Sequence, residues 1–207
     1  MGKGTEDLIN ARKKEIVFAC EKLYETMNFK DITMKDIAKV TSFTRTSIYN
    51  YFQTKEEIFL ALLQKEYEAW IVCLRKLRKS CHHMNRTQFA EALAHSLDNR
   101  QILLKLMSMN HYDMEENSRA ERLIEFKYVY GRALEEVTQC LRHFFSEMKE
   151  VEIQDFVFLF FPFLFGVYPY AVVTDKQRAA MEAAGVAYRY SSVYEMISSE
   201  AKHLLGV

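Results

Sequence analysis

Residues 5–130 run for 126 positions without a single glycine or proline. Tight hairpins and type II turns depend on those two residue types, so a β-sandwich or β-barrel cannot be assembled from this stretch. Glycine-rich phosphate loops of the GxGxxG or GxxxxGK[ST] kind are excluded for the same reason. The chain therefore reads as all-α, and its 49% apolar residues are ample for a core.

The four cysteines, Cys20, Cys73, Cys81 and Cys140, form no CxxC pair, and they read as reduced, mostly buried thiols. Cys81-His82-His83 has no acidic residue at ligand spacing, so neither a metal nor a cofactor is expected. No Ser-His-Asp, HExxH or paired-carboxylate arrangement stands out, so no catalytic residue is assigned and the chain does not read as an enzyme. The N-terminus carries no apolar signal segment, and Glu6 stands where myristoylation would want Ser or Thr, so a cytoplasmic location is expected. Residues 156–174 are uncharged over a length that reaches the lower bound of a membrane span. They contain Pro162, Gly166 and Pro169 and are flanked by Asp155 and Asp175, which favours a buried or dimer-forming helix over a membrane segment.

Helical periodicity begins early, with Ile9, Ile16, Cys20, Leu23 and Met27 on one face and Asn28 at its end. Thr33 with Asp36, Thr44, and Thr54 with Glu57 are three helix starts within about 22 residues. They leave room for two helices of roughly eight and seven residues between two longer ones, the outline of a helix-turn-helix. Ile37, Phe43, Ile48 and Phe52 would fill its core, with Ala38 allowing close helix crossing. A rod of some 25 residues follows to about Lys79. Further helices are expected at 86–97, 99–109, 115–148, 152–167, 175–184 and 189–204.

Charge is uneven. Residues 1–55 hold 10 Lys/Arg against 7 Asp/Glu, whereas residues 56–207 hold 18 against 21. No acid occurs between Asp36 and Glu56. The neutral total thus conceals a basic N-terminal segment, as binding to a polyanion requires.

The run from Asn28 through Phe29, Thr33, Ile37 and Ala38, then Phe43-Thr44-Arg45-Thr46-Ser47-Ile48-Tyr49-Asn50-Tyr51-Phe52 and Lys55-Glu56, resembles the DNA-binding domain of the TetR family. About 55 residues carry the likeness. It implies a helix-turn-helix DNA-binding domain over 1–55 and an all-helical ligand-binding and dimerisation domain over 56–207. It also implies a regulator, typically a repressor, that leaves a palindromic double-stranded DNA operator when a small molecule binds. In this frame Arg45, Thr46, Ser47 and Asn50 face base edges with Thr44, while Thr33, Lys35, Tyr49, Tyr51 and Lys55 meet phosphates. The family usually has glycine where this chain has Asn28 and Ser42, so Ser42 is expected either in a strained left-handed turn or in a turn of another shape.

For the remainder, Trp70, Met107, His111, Tyr112, Phe126, Tyr130, Phe160 and Tyr168 are candidates to line a pocket for an apolar or aromatic effector. The resemblance makes the last long helices, 154–166 and 188–204, the homodimer bundle, with Val157, Phe158, Phe161, Phe165, Tyr194 and Ile197 at its interface. A helical small-molecule-binding or enzyme domain whose head does not bind DNA is the alternative.

Overall fold

The structure is a computed structural model that describes residues 3–207, the side chains of Lys3 and His111 excepted. The described residues form α1 (Lys3–Tyr24), α2 (Met34–Lys39), α3 (Arg45–Ile48), α4 (Lys55–Ser80), α5 (Arg86–Asp98), α6 (Gln101–Met107), a π-helical turn (Asn110–Glu115), α7 (Ala120–Phe144), α8 (Glu150–Ala171), α9 (Asp175–Ala183) and α10 (Val193–Leu204), with no strand among them.

Local chemistry explains most of the helix starts. Thr33, Asn85, Thr174 and Ser192 each accept a hydrogen bond from the backbone N–H three residues on, and the side chain there accepts one from the cap residue's own N–H. Such reciprocal boxes satisfy two otherwise orphaned donors apiece. The helices at 34 and 45 are shorter than spacing alone suggests, six and four residues. α8 is longer, continuing through Pro169 to Ala171 where a break over 167–174 was expected. Both Pro162 and Pro169 sit on exposed positions, where water can satisfy the carbonyl that proline leaves without a donor.

The chain divides into two compact units, with boundaries inside α4, between α6 and the π-helical turn, and inside α7. The first holds the residues up to Lys65 together with Asn110–Tyr128. Its core joins Ile16, Cys20, Ile37, Ile48, Phe52 and Ile58, all nearly or fully buried, with Tyr24 and Phe29 edge-on to Phe59 at 5.1 and 4.8 Å. The second unit holds Glu66–Met109 and Val129–Val207. Here α10 packs along α5 and against α8, and Trp70, Tyr130 and Phe161 form an aromatic centre.

α8 is long and apolar enough to cross a membrane by length and composition, with a mean hydropathy of 1.5 over its most apolar window. One side of it packs inward through Ile153, Phe156, Phe160, Phe161, Leu164 and Val167.

Candidate nucleic-acid interface

α2, the turn after it and α3 are held by polar contacts that begin locally and end far away in sequence. Thr33 donates its hydroxyl to Asp36 Oδ2 at 2.6 Å and accepts the Asp36 N–H at 3.3 Å. Lys39 adds a 2.8 Å ion pair to the same carboxylate. Lys39 and then Thr33 hold the Asp36 pKa down to about 2.

The turn itself contains no left-handed residue; among the described residues only Gly185 and Gly206 have positive φ. Ser42 is therefore not a strained stand-in for glycine, and the turn has another shape. Glu15, on α1, accepts the Ser42 N–H at 2.7 Å, and Thr41 Oγ1 donates to the Ala38 carbonyl at 3.2 Å. The Ser42 N–H keeps the Glu15 carboxyl below its ordinary pKa. Asn28 also keeps a negative φ; its side-chain amide donates to Asp31.

Thr44 caps α3 by accepting the Ser47 N–H at 3.2 Å. Beyond it, Arg45, Thr46, Tyr49 and Asn50 are exposed, as are Thr33, Lys35 and Thr44, while Ser47 is partly covered. Arg45 donates to the Tyr49 hydroxyl at 3.0 Å, with its guanidinium 5.7 Å from that ring. Tyr51 is half-buried, tilted against Phe43, and its hydroxyl accepts from Arg12 Nη1 at 3.0 Å.

Lys55 departs from the role expected of it. Its ammonium donates to the carbonyls of Phe29 and Ile32 at 2.7 and 3.1 Å and lies 4.4 Å from the Phe29 ring. Two of its three donors are thus committed to closing the α1–α2 connection, which makes it a positioning residue of the head. Arg12 and Glu15 were missed in the sequence, because their partners lie 39 and 27 residues away.

A second tie fixes the segment that follows α3. Glu57 is fully buried, and its carboxylate accepts from Arg119 Nε at 2.6 Å, Arg119 Nη2 at 2.8 Å, the Gln53 N–H at 2.8 Å and the Arg119 N–H at 3.3 Å. Burial pushes this carboxyl's pKa up, but the hydrogen bonds from Arg119 and Gln53 outweigh it, so the group titrates below its usual range. Thr54 donates to the Asn117 carbonyl at 3.2 Å, and Arg122 to the Tyr51 carbonyl at 3.3 Å.

The pocket candidates separate. Trp70, Met107 and Phe160 are buried in the second unit, with Tyr130 and Tyr168 half-buried there. Trp70 donates to Ser96 Oγ at 2.9 Å, and burial raises the Tyr168 pKa. Tyr112 and Phe126 belong to the first unit; Phe126 is buried, but Tyr112 is 86% exposed and lines no enclosed cavity. The His111 side chain lies outside the described residues.

The dimer candidates also divide. Phe158 is 81% exposed, and Val157, Phe165 and Tyr194 are half-buried. Phe161 and Ile197 are corrected to core positions: Phe161 is 1% exposed against Trp70 and Tyr130, and Ile197 is fully buried on α10. The helical period turns Phe161 inward. The outward stripe runs instead through Asp155, Phe158, Leu159, Pro162, Gly166 and Tyr170.

A capped helix-turn-helix with an exposed polar second helix, followed by an all-α companion, is the build of helix-turn-helix transcriptional regulators. The chain belongs to the TetR family: residues 16–62 match the model for bacterial regulatory proteins of the tetR family, and residues 64–190, more than half of the chain, match the tetracyclin repressor-like C-terminal domain. It is 31% identical over 83 residues to YfiR, an uncharacterised HTH-type transcriptional regulator of Bacillus subtilis, and 25% identical over 71 residues to the HTH-type regulator RutR of Escherichia coli K12. These matches span 40% and 34% of this chain, and only 39% and 34% of the two relatives' lengths. Among solved structures, the fatty acid degradation regulator FadR of Bacillus halodurans shares the fold with a TM-score of 0.58 at 16% identity, covering 93% of this chain and 97% of that one. Thermus thermophilus FadR, solved with lauroyl-CoA, also gives 0.58, at 15% identity and 93% of both chains.

Proposed function

We propose that the protein acts in the cytoplasm as a homodimeric repressor that leaves a palindromic operator when an apolar or aromatic small molecule binds its second unit. One observation carries the DNA-binding part. Arg45, Thr46, Tyr49 and Asn50 stand exposed on one short, capped segment, with Lys35 exposed on α2. Asp36, the one acid between Lys35 and Asn50, and Glu15, which reaches the turn from α1, are both occupied by protein donors. No carboxylate in this segment therefore competes for, or repels, a phosphate backbone. Arg45 would read a guanine through its fork, with Thr44, Thr46, Ser47 and Asn50 beside it, while Thr33, Lys35, Tyr49 and Tyr51 would clamp phosphates.

The aromatic centre of the second unit supports an apolar effector, as does the fold shared with a regulator that holds an acyl-CoA. The outward stripe of α8 supports a dimer, since an apolar patch of this kind calls for a partner.

The test is fluorescence anisotropy on DNA upstream of the protein's own gene, from 50 to 200 mM salt. Nanomolar binding with a steep salt slope is expected. Arg45→Ala should relax preference at one base position, and Lys35→Ala should weaken all sequences alike. Equal affinity for operator and random DNA would overturn the reading.

A further inference from the structure

α9 has both of its ends specified and nothing to bury. Thr174 and Gln177 form a capping box at its start. At its end Gly185, at φ +64°, lets the Val186 N–H reach back to the Met181 carbonyl at 3.0 Å. Yet no residue of this nine-residue helix is buried. Val186 and Tyr190 beyond it are 49% and 38% exposed. A helix this short is marginal in water without tertiary packing. Its sequence nonetheless offers a small apolar stripe, Ala180, Ala183 and the C-cap Ala184, beside Arg178, whose guanidinium sits 4.5 Å from the Tyr190 ring. Arg178 has no carboxylate partner among the described residues.

At the opposite end of α8 lies a receptor of matching character. A cleft of about 280 Å³ is lined by Arg86, Met148, Asp155, Phe156, Leu159 and Leu204 among others. The acids around it are mostly engaged: Glu150 pairs with Arg142 at 2.6 Å, and Glu152 accepts the Lys149 N–H at 2.7 Å. Asp155 has no such partner among the described residues and is exposed. The lining is mixed: Arg86 donates to the Leu205 carbonyl at 2.7 Å and pairs with Glu147 at 3.5 Å beside Met148, Phe156, Leu159 and Leu204, and Asp155 is the charged group of the lining left without a partner among the described residues.

We infer that α9 and the segment to Tyr190 form an arm that seats in the Asp155 cleft of a second copy of this chain, with Arg178 pairing to Asp155 of the partner subunit. This rests on the dimer reading above and adds a contact to it. A two-fold interface is self-complementary, so α8 meets its own copy. The outward stripe centres on Pro162, with exposed Gly166 beside it, where small or side-chain-poor positions let two helices approach closely. In an antiparallel crossing there, Asp155 and Tyr170 each lie about 11 Å from the centre, on opposite sides. Asp155 of one copy then faces the point where the other copy's α8 ends and its arm departs. One contact per subunit gives the α9 stripe something to cover and Asp155 a cation.

The experiment is sedimentation equilibrium of the full chain at low salt with Arg178→Glu, Asp155→Lys and the double exchange. Both positions are exposed, so folding is preserved; circular dichroism checks this. Each single change should weaken dimerisation at least tenfold, and the double exchange should restore it to within threefold of wild type. Singles within twofold of wild type, or a double no better than the worse single, would overturn the arm contact. Phe158→Glu separates this from the dimer reading. If it yields monomers while the arm variants stay unchanged, only the arm contact fails; a wild-type protein that is monomeric at micromolar concentration sinks the dimer itself.

Discussion

Replacing Arg119 with Ala removes the one side-chain cation that pairs, among the described residues, with a carboxylate that is 0% exposed. Glu57 then keeps the Gln53 and Arg119 backbone N–H groups but loses both of its hydrogen bonds from the guanidinium. Breaking one side of a buried ion pair costs about 3–5 kcal/mol, because the remaining charge is stranded. The Arg119 side chain is itself 37% exposed, so water can follow into part of the vacated space, and a loss of about 2–3 kcal/mol is expected. For a chain of this length that lowers Tm by roughly 4–12 °C if the unfolding is cooperative.

The sign with pH follows from the direction of the shift. In the wild type the Glu57 pKa is depressed, so its contribution is present above the unfolded value of about 4.3 and is lost as pH falls through the lower folded value. In Arg119→Ala, burial acts with less opposition and Glu57 accepts a proton more readily, so the gap between the two proteins should shrink between pH 7 and pH 4. Urea unfolding followed by far-UV circular dichroism at both pH values measures this. The sole tryptophan, Trp70, lies in the second unit, so its fluorescence would follow the wrong part of the chain. Hydrogen exchange over residues 50–60 locates the effect, since Glu57 and Arg122 both hold backbone there. A loss under 1 kcal/mol at pH 7, or a gap that widens in acid, would show that the pair does not carry this energy.

Three further outcomes follow from the same contacts. Lys55→Ala should cost about 1.5–3 kcal/mol, since two carbonyls lose a charged donor, while leaving the salt slope of DNA binding unchanged; a slope lower by about 0.9 would show that Lys55 neutralises a phosphate. Ser42→Gly should destabilise by roughly 0.5–1 kcal/mol in thermal melts, because φ at this position is negative and glycine only adds freedom to the unfolded chain; a stabilised variant would contradict the observed turn. Phe161→Ala should cost about 3–5 kcal/mol in urea unfolding as a core truncation, whereas Val151→Ala, at an exposed position of the same helix outside the outward stripe, should stay within about 0.5 kcal/mol; equal losses would mean the α8 faces are misassigned.

The helix starts at Thr33, Thr44 and Thr174 could be read from the sequence because each is set by partners within three residues. The all-α class, the two short helices and the polar run from Arg45 to Asn50 follow from the same local signals and from the absence of glycine and proline. What holds that run in place was not legible. Glu15 with Ser42, Arg12 with Tyr51, and Arg119 with Glu57 are separated by 27, 39 and 62 residues, and no periodicity couples such distant positions. Lys55 shows the difference most clearly: its position in the motif suggested a phosphate contact, but the fold brings two carbonyls within reach first.

The same holds for α8. Composition alone marked it as apolar enough to need covering, but which phenylalanines are already covered depends on its rotation against Trp70 and Tyr130. Phe161 and Phe158 are three residues apart and chemically identical, yet one is core and the other surface. The sequence determined which helices form, because capping and turn chemistry act within a few residues. Only the tertiary structure decided which polar groups are occupied and which apolar face stays open, because both depend on what other segments bring into contact.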